Sequence, residues 1–329
     1  MPEKEKNLVS AMRTICGGNL GLSSKETLLI VADPPMMGLA GRMVQAAREG
    51  GWRSELVEVG EVEKAGCAPE GFTDELLGAG WSAALLVTSK SLSHTSQRRK
   101  ACYEIGLRIA SMPRLSEDML CRLFRPGAAD GVKKRTDALA ARLEGAVMLR
   151  VCTRQGTELE LSIEGRKIYT DTGFYREPGR FGNLPAGEVC AAPVPGTAHG
   201  RLVVDVAFAA LGTGMPVEGL VIEIEKGSMV RVTGPGSERV ERLLARAPDR
   251  VAGEFGIGTN RLATLCPVPL EAEKAVGTVH IGFGDNISFG GENRDATGHW
   301  DAVMRCERIE VDGRTLDLRD RISAWKQSV

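Results

Sequence analysis

Four short strand patterns, at 27–32, 54–59, 83–88 and 107–110, alternate with helical patterns along the first part of the chain. The first run, Thr27-Leu28-Leu29-Ile30-Val31-Ala32, is apolar at nearly every position and stops at Asp33-Pro34-Pro35. A strand with one wet face shows a polar residue at every second place. A continuous apolar run fits a strand covered on both faces, as in parallel sheets. Helical patterns at 38–49 and 95–106 separate the runs, the first stopped by Gly50-Gly51. Strands alternating with helices imply βαβ units and an open parallel sheet. Ligands of such sheets gather at the carboxyl ends of the strands, which makes Asp33 and the loop 89–95 candidate wall elements. The loop after the first strand reads DPPMMGLAG. It lacks the GxGxxG spacing of a dinucleotide site.

After a helical pattern at 130–147 the texture changes. Strand patterns at 147–152, 158–163, 167–171, 217–225, 229–233, 307–311 and 314–318 are joined by tight turns such as Glu164-Gly165 and Lys226-Gly227. Asp312-Gly313 is a strong two-residue hairpin signal. One more helix is expected at 234–246, entered through Pro235-Gly236-Ser237. A chain of 329 residues favours two domains, since domains average about 100–200 residues. The expected fold class is α/β plus α+β. Residues 1–150 form an N-terminal open parallel-sheet α/β domain, and residues 151–329 a C-terminal α+β metal-binding domain.

Net charge is −1 and the sequence pI is near 6.5. No field of one sign is available to attract nucleic acid or an anionic membrane. The basic clusters Arg98-Arg99-Lys100 and Lys133-Lys134-Arg135 fall in helical patterns and read as solvated helix faces. The opening MPEKEKNLVSAM has no apolar h-region, and no apolar run approaches the roughly 18–20 residues that span a bilayer. The expected location is the cytoplasm. The eight cysteines include no CxxC pair. They read as free thiols, several of them buried, rather than as a structural zinc site.

Chemistry concentrates in the second half. In an extended segment, residues i and i+2 point the same way, so His299-Trp300-Asp301 offers an imidazole and a carboxylate to one point. His280 emerges from the strand-like Thr278-Val279-His280-Ile281-Gly282-Phe283-Gly284. The polar, glycine-rich loop DNISFGGENRDATG is able to fold back and bring His280 to His299 and Asp301. Two imidazoles and a carboxylate suit Zn²⁺, Mn²⁺, Co²⁺ or non-haem Fe²⁺. Glu188 and Glu254 are each the lone acid in a small, apolar-rich stretch, where a carboxylate is costly unless paired or metal-bound. His199 follows a loop and reads as structural, and His94 is placed to cap the helix that starts at Thr95.

These stretches occur in a telling order. Asn183-Leu184-Pro185-x-Gly187-Glu188-Val189 with Ala192-Pro193 is followed by Gly253-Glu254-x-Gly256-x-Gly258-x-Asn260. Then come Gly277-Thr278-x-His280-Ile281-Gly282-x-Gly284 and His299-x-Asp301. The series resembles the thermophilic-type leucyl aminopeptidases, the aminopeptidase T/S-like metallopeptidases. Ser93-His94-Thr95 with Arg98, Arg108-Ile109-Ala110-x-Met112-Pro113 and Glu117-Asp118-Met119 extend the likeness into the first half. The resemblance implies divalent ions held by Glu188, Glu254, His280, His299 and Asp301, a catalytic role for Glu254 or Glu273, and a homodimer. The family tyrosine that follows the first histidine has no counterpart in Asp285-Asn286-Ile287-Ser288-Phe289. Its loss would remove an oxyanion donor.

The function expected first is therefore a cytoplasmic metallo-aminopeptidase, a hydrolase acting on peptides through water activated by one or two Zn, Co or Mn ions. The alternative is a mononuclear non-haem iron ring-opening dioxygenase. The segment from Gly290 to Asp301 also resembles 2,5-dihydroxypyridine 5,6-dioxygenases, in which His280, His299 and Asp301 would form a facial triad. There Glu188 and Glu254 would support the triad or face a small-molecule substrate. A third class, a binding protein on the same scaffold, has no direct sequence support.

Overall fold

The structure is a computed structural model that describes residues 3–215, 217 and 219–319. Residues 320–329 of the expected second domain, and Glu218 of the strand expected at 217–225, lie outside the described residues. The strands are β1 (Thr27–Ala32), β2 (Arg53–Glu58), β3 (Ala83–Val87), β4 (Arg108–Ser111), β5 (Met148–Cys152) and β6 (Glu158–Ser162). Next come β7 (Tyr169–Asp171), β8 (Phe181–Asn183), β9 (Glu188–Ala191), β10 (His199–Val204), β11 (Ala207–Phe208) and β12 (Leu220–Glu225). The last six are β13 (Ser228–Thr233), β14 (Ala252–Gly258), β15 (Thr278–Gly284), β16 (His299–Arg305), β17 (Arg308–Val311) and β18 (Arg314–Asp317).

The chain forms two compact units, one of Met1–Lys133 with Asp171–Ala186, the other of Lys134–Thr170 with Gly187–Val329. This division differs from a single boundary near 150. The helix Ala128–Leu143 spans the first change of unit, and the chain later returns to add β8 to the edge of the first sheet. A three-residue strand carries too short a pattern to be read from sequence.

In the first unit the sheet order is β2-β1-β3-β4-β8, and every neighbouring pair is parallel. The continuous apolar runs have the expected cause: Leu28 to Ala32 and Ala83 to Val87 are all fully buried. Beyond the carboxyl end of β1, the buried Asp33 accepts hydrogen bonds from the Ser89 amide at 2.9 Å and from the Ser89 hydroxyl. The acid thereby ties the loops after β1 and β3 together. Two sequence expectations need correction here. The helix Ser96–Lys100 is capped by the Thr95 hydroxyl, which accepts from the Arg98 amide, and not by His94. Arg98 is not solvated. It is 4 % exposed, donates from Nε to the Ser93 carbonyl at 2.6 Å and lies 3.9 Å over the Phe181 ring. In the second basic cluster Lys133 and Lys134 are exposed as expected, but Arg135 is buried and donates to the Leu318 carbonyl.

The second unit holds two antiparallel sheets. One has the order β13-β12-β10-β6-β5-β17-β18, the other β11-β16-β15-β14-β9-β7. One apolar core joins them: Leu149, Leu161, Leu202, Ile222 and Ile309 come from the first, and Val189, Phe255, Ile281, Phe283 and Met304 from the second. Each such side chain contributes about 1.5–3 kcal/mol on burial. The hairpin turn at Asp312-Gly313 has both residues at positive φ, 49° and 74°, as a type I′ turn requires. His199, read as structural after a loop, begins β10 and is exposed. All eight cysteines are free, with Cys16, Cys102, Cys190 and Cys306 buried. Among the described residues, no helix is long and apolar enough to cross a membrane.

Candidate metal centre

Side chains alternate across a strand, so the apolar core dictates what the reverse face of the six-stranded sheet presents. Val189 and Ala191 of β9, Phe255 and Ile257 of β14, Val279, Ile281 and Phe283 of β15, and Ala302 and Met304 of β16 all enter the core. The residues between them are Glu188, Cys190, Glu254, Gly256, His280, Gly282 and Asp301, with His299 two places before Asp301. They are left on the opposite face. β14 and β15 are buried along their whole length, so Glu254 and His280 on this second face are shielded from water, while His299 and Asp301 of β16 are half-buried.

Register brings the groups together. β15 lies between β14 and β16, with Gly256 opposite His280, Gly282 opposite Asp301 and Gly284 opposite His299. Glu188 stands opposite Gly258. Thus each of these four polar residues faces a glycine across the ladder. A Cβ at Gly256 would stand 2.1 Å from His280 Nε2 and so clash with the imidazole. One at Gly282 would lie 2.5 Å from His299 Nε2 and 3.0 Å from Asp301 Oδ1. The glycines of the sequence motifs are therefore the floor of the site. The loop from β15 to β16 is folded back by asparagines: Asn286 Nδ2 donates to the Gly253 carbonyl at 3.1 Å, and Asn293 Nδ2 to the Gly284 carbonyl at 2.8 Å.

His299 Nε2 is 2.9 Å from Glu254 Oε2 and 3.0 Å from Asp301 Oδ1. His280 Nε2 is 3.5 Å from Glu254 Oε1 and 3.5 Å from Glu188 Oε2. Atoms bound to one ion at roughly 2.1 Å stand about 3.0–3.4 Å apart at octahedral or tetrahedral angles, so the spacing fits a shared divalent cation. Glu254, His280 and Asp301 offer ligand atoms that all lie within 4.8 Å of one another. The tautomer of His299 is fixed as well. Its Nδ1 is 2.7 Å from the Asp285 carbonyl, which can only accept, so Nδ1 keeps its proton and Nε2 is the nitrogen left to bind a metal once it gives up its own, the usual support of a metal-binding imidazole.

Electrostatics point the same way. Burial alone would pull the His280 imidazole down. Its hydrogen bond to Glu254 and the charges of Glu254, Glu188 and Asp301 outweigh burial and push it up to about 9. His299 is likewise opposed by burial but driven well up by Asp301 and Glu254. Burial would raise the Glu254 and Asp301 carboxyls, yet the imidazoles hold both below the usual carboxylate range. Without an ion, protons supply the positive charge that the acids demand, and a divalent cation would release them. Glu273 differs: burial pushes it up to about 8, Lys274 offsets part of this, and Asp301 and Glu188 add to it.

The six residues singled out by sequence, Glu188, Glu254, Glu273, His280, His299 and Asp301, thus lie in one cluster. Sequence reasoning missed two of its members. Lys274 is 1 % exposed, with Nζ 2.6 Å from Glu188 Oε1 and 2.9 Å from Glu273 Oε1. Its one signal was a place beside Glu273 between alanines. Cys190 shares the face of Glu188 by the i, i+2 rule; burial and then Glu254 and Glu188 raise its thiol far above the ordinary value. In the loop after β15 the Phe289 ring centroid lies 5.3 Å from that of His299.

The family model for 2,5-dihydroxypyridine 5,6-dioxygenase (NicX) matches residues 53–320. No curated protein matches the chain. Among solved structures it is similar to the 2,5-dihydroxypyridine dioxygenase of Pseudomonas putida KT2440, at 18 % identity over 96 % of this chain and 97 % of that one, with a TM-score of 0.78. It is also similar to wild-type AmpT from Thermus thermophilus, at 18 % identity over 95 % of this chain and 97 % of that one, with a TM-score of 0.65. At such identity these likenesses establish the α/β plus α+β fold, and function has to be argued from the site.

Proposed function

Because the chain belongs to the family of 2,5-dihydroxypyridine 5,6-dioxygenase (NicX), we propose that it is a mononuclear iron(II) oxygenase that opens the ring of a small hydroxylated aromatic or heteroaromatic compound. The observation that carries this reading is that both imidazole Nε2 atoms meet the buried Glu254 carboxylate, His280 at 3.5 Å and His299 at 2.9 Å, with Asp301 3.0 Å from His299. His280, His299 and Asp301 would hold the ion, with Glu254 beside it. Ferrous iron, when bound, supplies the one-electron chemistry that lets dioxygen react with a closed-shell ring.

The chain's own groups do the rest. The Asp285 carbonyl holds the His299 Nδ1 proton and so keeps Nε2 turned inward. Gly256 and Gly282 leave the space that the imidazoles and Asp301 fill. Phe289 puts an apolar ring beside His299, where a phenol would offer a donor suited to a carbonyl oxyanion. Glu273, whose carboxyl burial pushes up to about 8, is the group matched to give or take a proton near neutral pH.

A second reading, the metallo-aminopeptidase, is favoured by one observation: Glu188 and Glu254 stand in the cluster beside the two histidines. One experiment separates the two. Protein purified anaerobically without added metal is analysed for elements, then assayed for oxygen uptake with 2,5-dihydroxypyridine and for hydrolysis of aminoacyl anilides. One iron per chain with oxygen consumed is the expected outcome. Two zinc, cobalt or manganese ions with anilide hydrolysis would replace our reading by the peptidase. A homodimer, implied by the resemblance, is part of the proposal, and light scattering should return twice the chain mass of 35.2 kDa.

A further inference from the structure

The reverse face of the six-stranded sheet carries more ligands than one ion needs. Besides Glu254, His280 and Asp301, a second set made of Glu188, Cys190 and Glu254 has ligand atoms within 4.8 Å of one another. Glu254 belongs to both sets. Glu188 and Glu273 are a further 2.6 Å and 2.9 Å from a charge that the chain itself provides, the Lys274 ammonium. We propose that Lys274 is a built-in cation that restricts this centre to a single divalent ion, and that removing its ammonium opens a second ion site at Glu188, Cys190 and Glu254. The inference rests on the reading that the cluster binds a metal.

The physical case is one of counter-charge. Two acids buried as deeply as Glu188 and Glu273, 8 % and 6 % exposed, need a positive partner. A divalent ion or an ammonium will serve, but both cannot sit between the same oxygens. Lys274 is fixed where it stands. Its amide donates to the Glu271 carbonyl at 3.1 Å and its carbonyl accepts from the Asn260 amide at 2.8 Å, which anchors the turn after the helix Pro269–Ala272. A tethered cation competes at a high effective concentration against a free ion. An ammonium also has no empty orbital and polarises nothing, so it neutralises the acids without adding a second Lewis acid.

The test uses the full chain, stripped with chelator, incubated with excess Mn²⁺ and desalted. The wild type is expected to retain one manganese per chain and to show the electron paramagnetic resonance of an isolated ion. Lys274→Ala is expected to retain two, with the spectrum of a coupled pair. The charge-balanced double variant Glu273→Gln/Lys274→Ala, which loses one positive and one negative group together, keeps Glu188, Cys190 and Glu254. It should take its second ion at a higher manganese concentration, and it carries the test alone if the single variant does not fold. One ion in the wild type and still one in the folded variants at saturating Mn²⁺ overturns the role of Lys274 while leaving the metal centre standing. Two ions in the wild type overturn it as well. No ion in the wild type removes the metal reading and this inference together.

Discussion

Gly282→Ala probes the site without touching any candidate ligand. Gly282 is opposite Asp301 in the ladder, and its φ lies outside the left-handed region, so alanine imposes no backbone strain. The effect must be steric. The new methyl would stand 2.5 Å from His299 Nε2 and 3.0 Å from Asp301 Oδ1. Ordinary carbon contacts are about 3.5–4 Å, so His299 must move by roughly 1 Å. Ligand constellations tolerate displacements of about 0.5 Å. We therefore expect metal affinity to fall by at least ~100-fold, the upper range for disturbing a ligand's support. Overpacking should cost about 1–3 kcal/mol of stability, a melting decrease of a few degrees to about 10 °C. Titration calorimetry with Mn²⁺ gives the first quantity and scanning calorimetry of the metal-free protein the second. Wild-type metal affinity in the variant would refute the placement of His299 and Asp301 at a common ion. Gly41→Ala is the matched control. It lies within the helix Met37–Glu49, and its Cβ would meet nothing within 4 Å. It should stabilise by about 0.5–1 kcal/mol.

Three further outcomes follow from the same structure. In the metal-free protein His280 is raised from 6.5 to about 9, and Glu273 from 4.5 to about 8. A folded value above the unfolded one gives stability that is complete below the unfolded value and lost as pH rises through the folded value. Metal-free protein should therefore lose on the order of 2 kcal/mol between pH 7 and 9, read by urea denaturation, and unchanged stability would contradict the assignment. Over that window metal affinity should rise, about tenfold per pH unit for each proton displaced, and calorimetry in buffers of different ionisation enthalpy counts the protons released. Arg98→Ala should cost about 2–4 kcal/mol through loss of the stack on Phe181 and the bond to Ser93, with Arg98→Lys recovering less than half because an ammonium has no plane to stack.

Local pattern carried much of this molecule. The runs at 27–32 and 83–88 read as doubly covered parallel strands because burial on both faces demands apolar residues at every position, and they form the middle of the parallel sheet. Asp312-Gly313 read as a hairpin because few other residues accept positive φ in succession. His299 and Asp301 were legible as a pair because a strand repeats every two residues. Motif order then linked them to His280, Glu188 and Glu254, which no local rule connects.

Pairing across the sheet decided what the sequence left open. Only the register of β9, β14, β15 and β16 sets a glycine opposite each of Glu188, His280, His299 and Asp301, because that relation joins residues on different strands. Arg98 read as an ordinary surface charge and Lys274 drew no reading, yet both prove buried, since Phe181 and Glu188, which help make their burial tolerable, come from other segments. Chain chemistry settled which groups exist and how each strand turns its faces. Three-dimensional closure settled which groups meet, because the cost of burying a charge depends on neighbours that lie near in space and are remote along the chain.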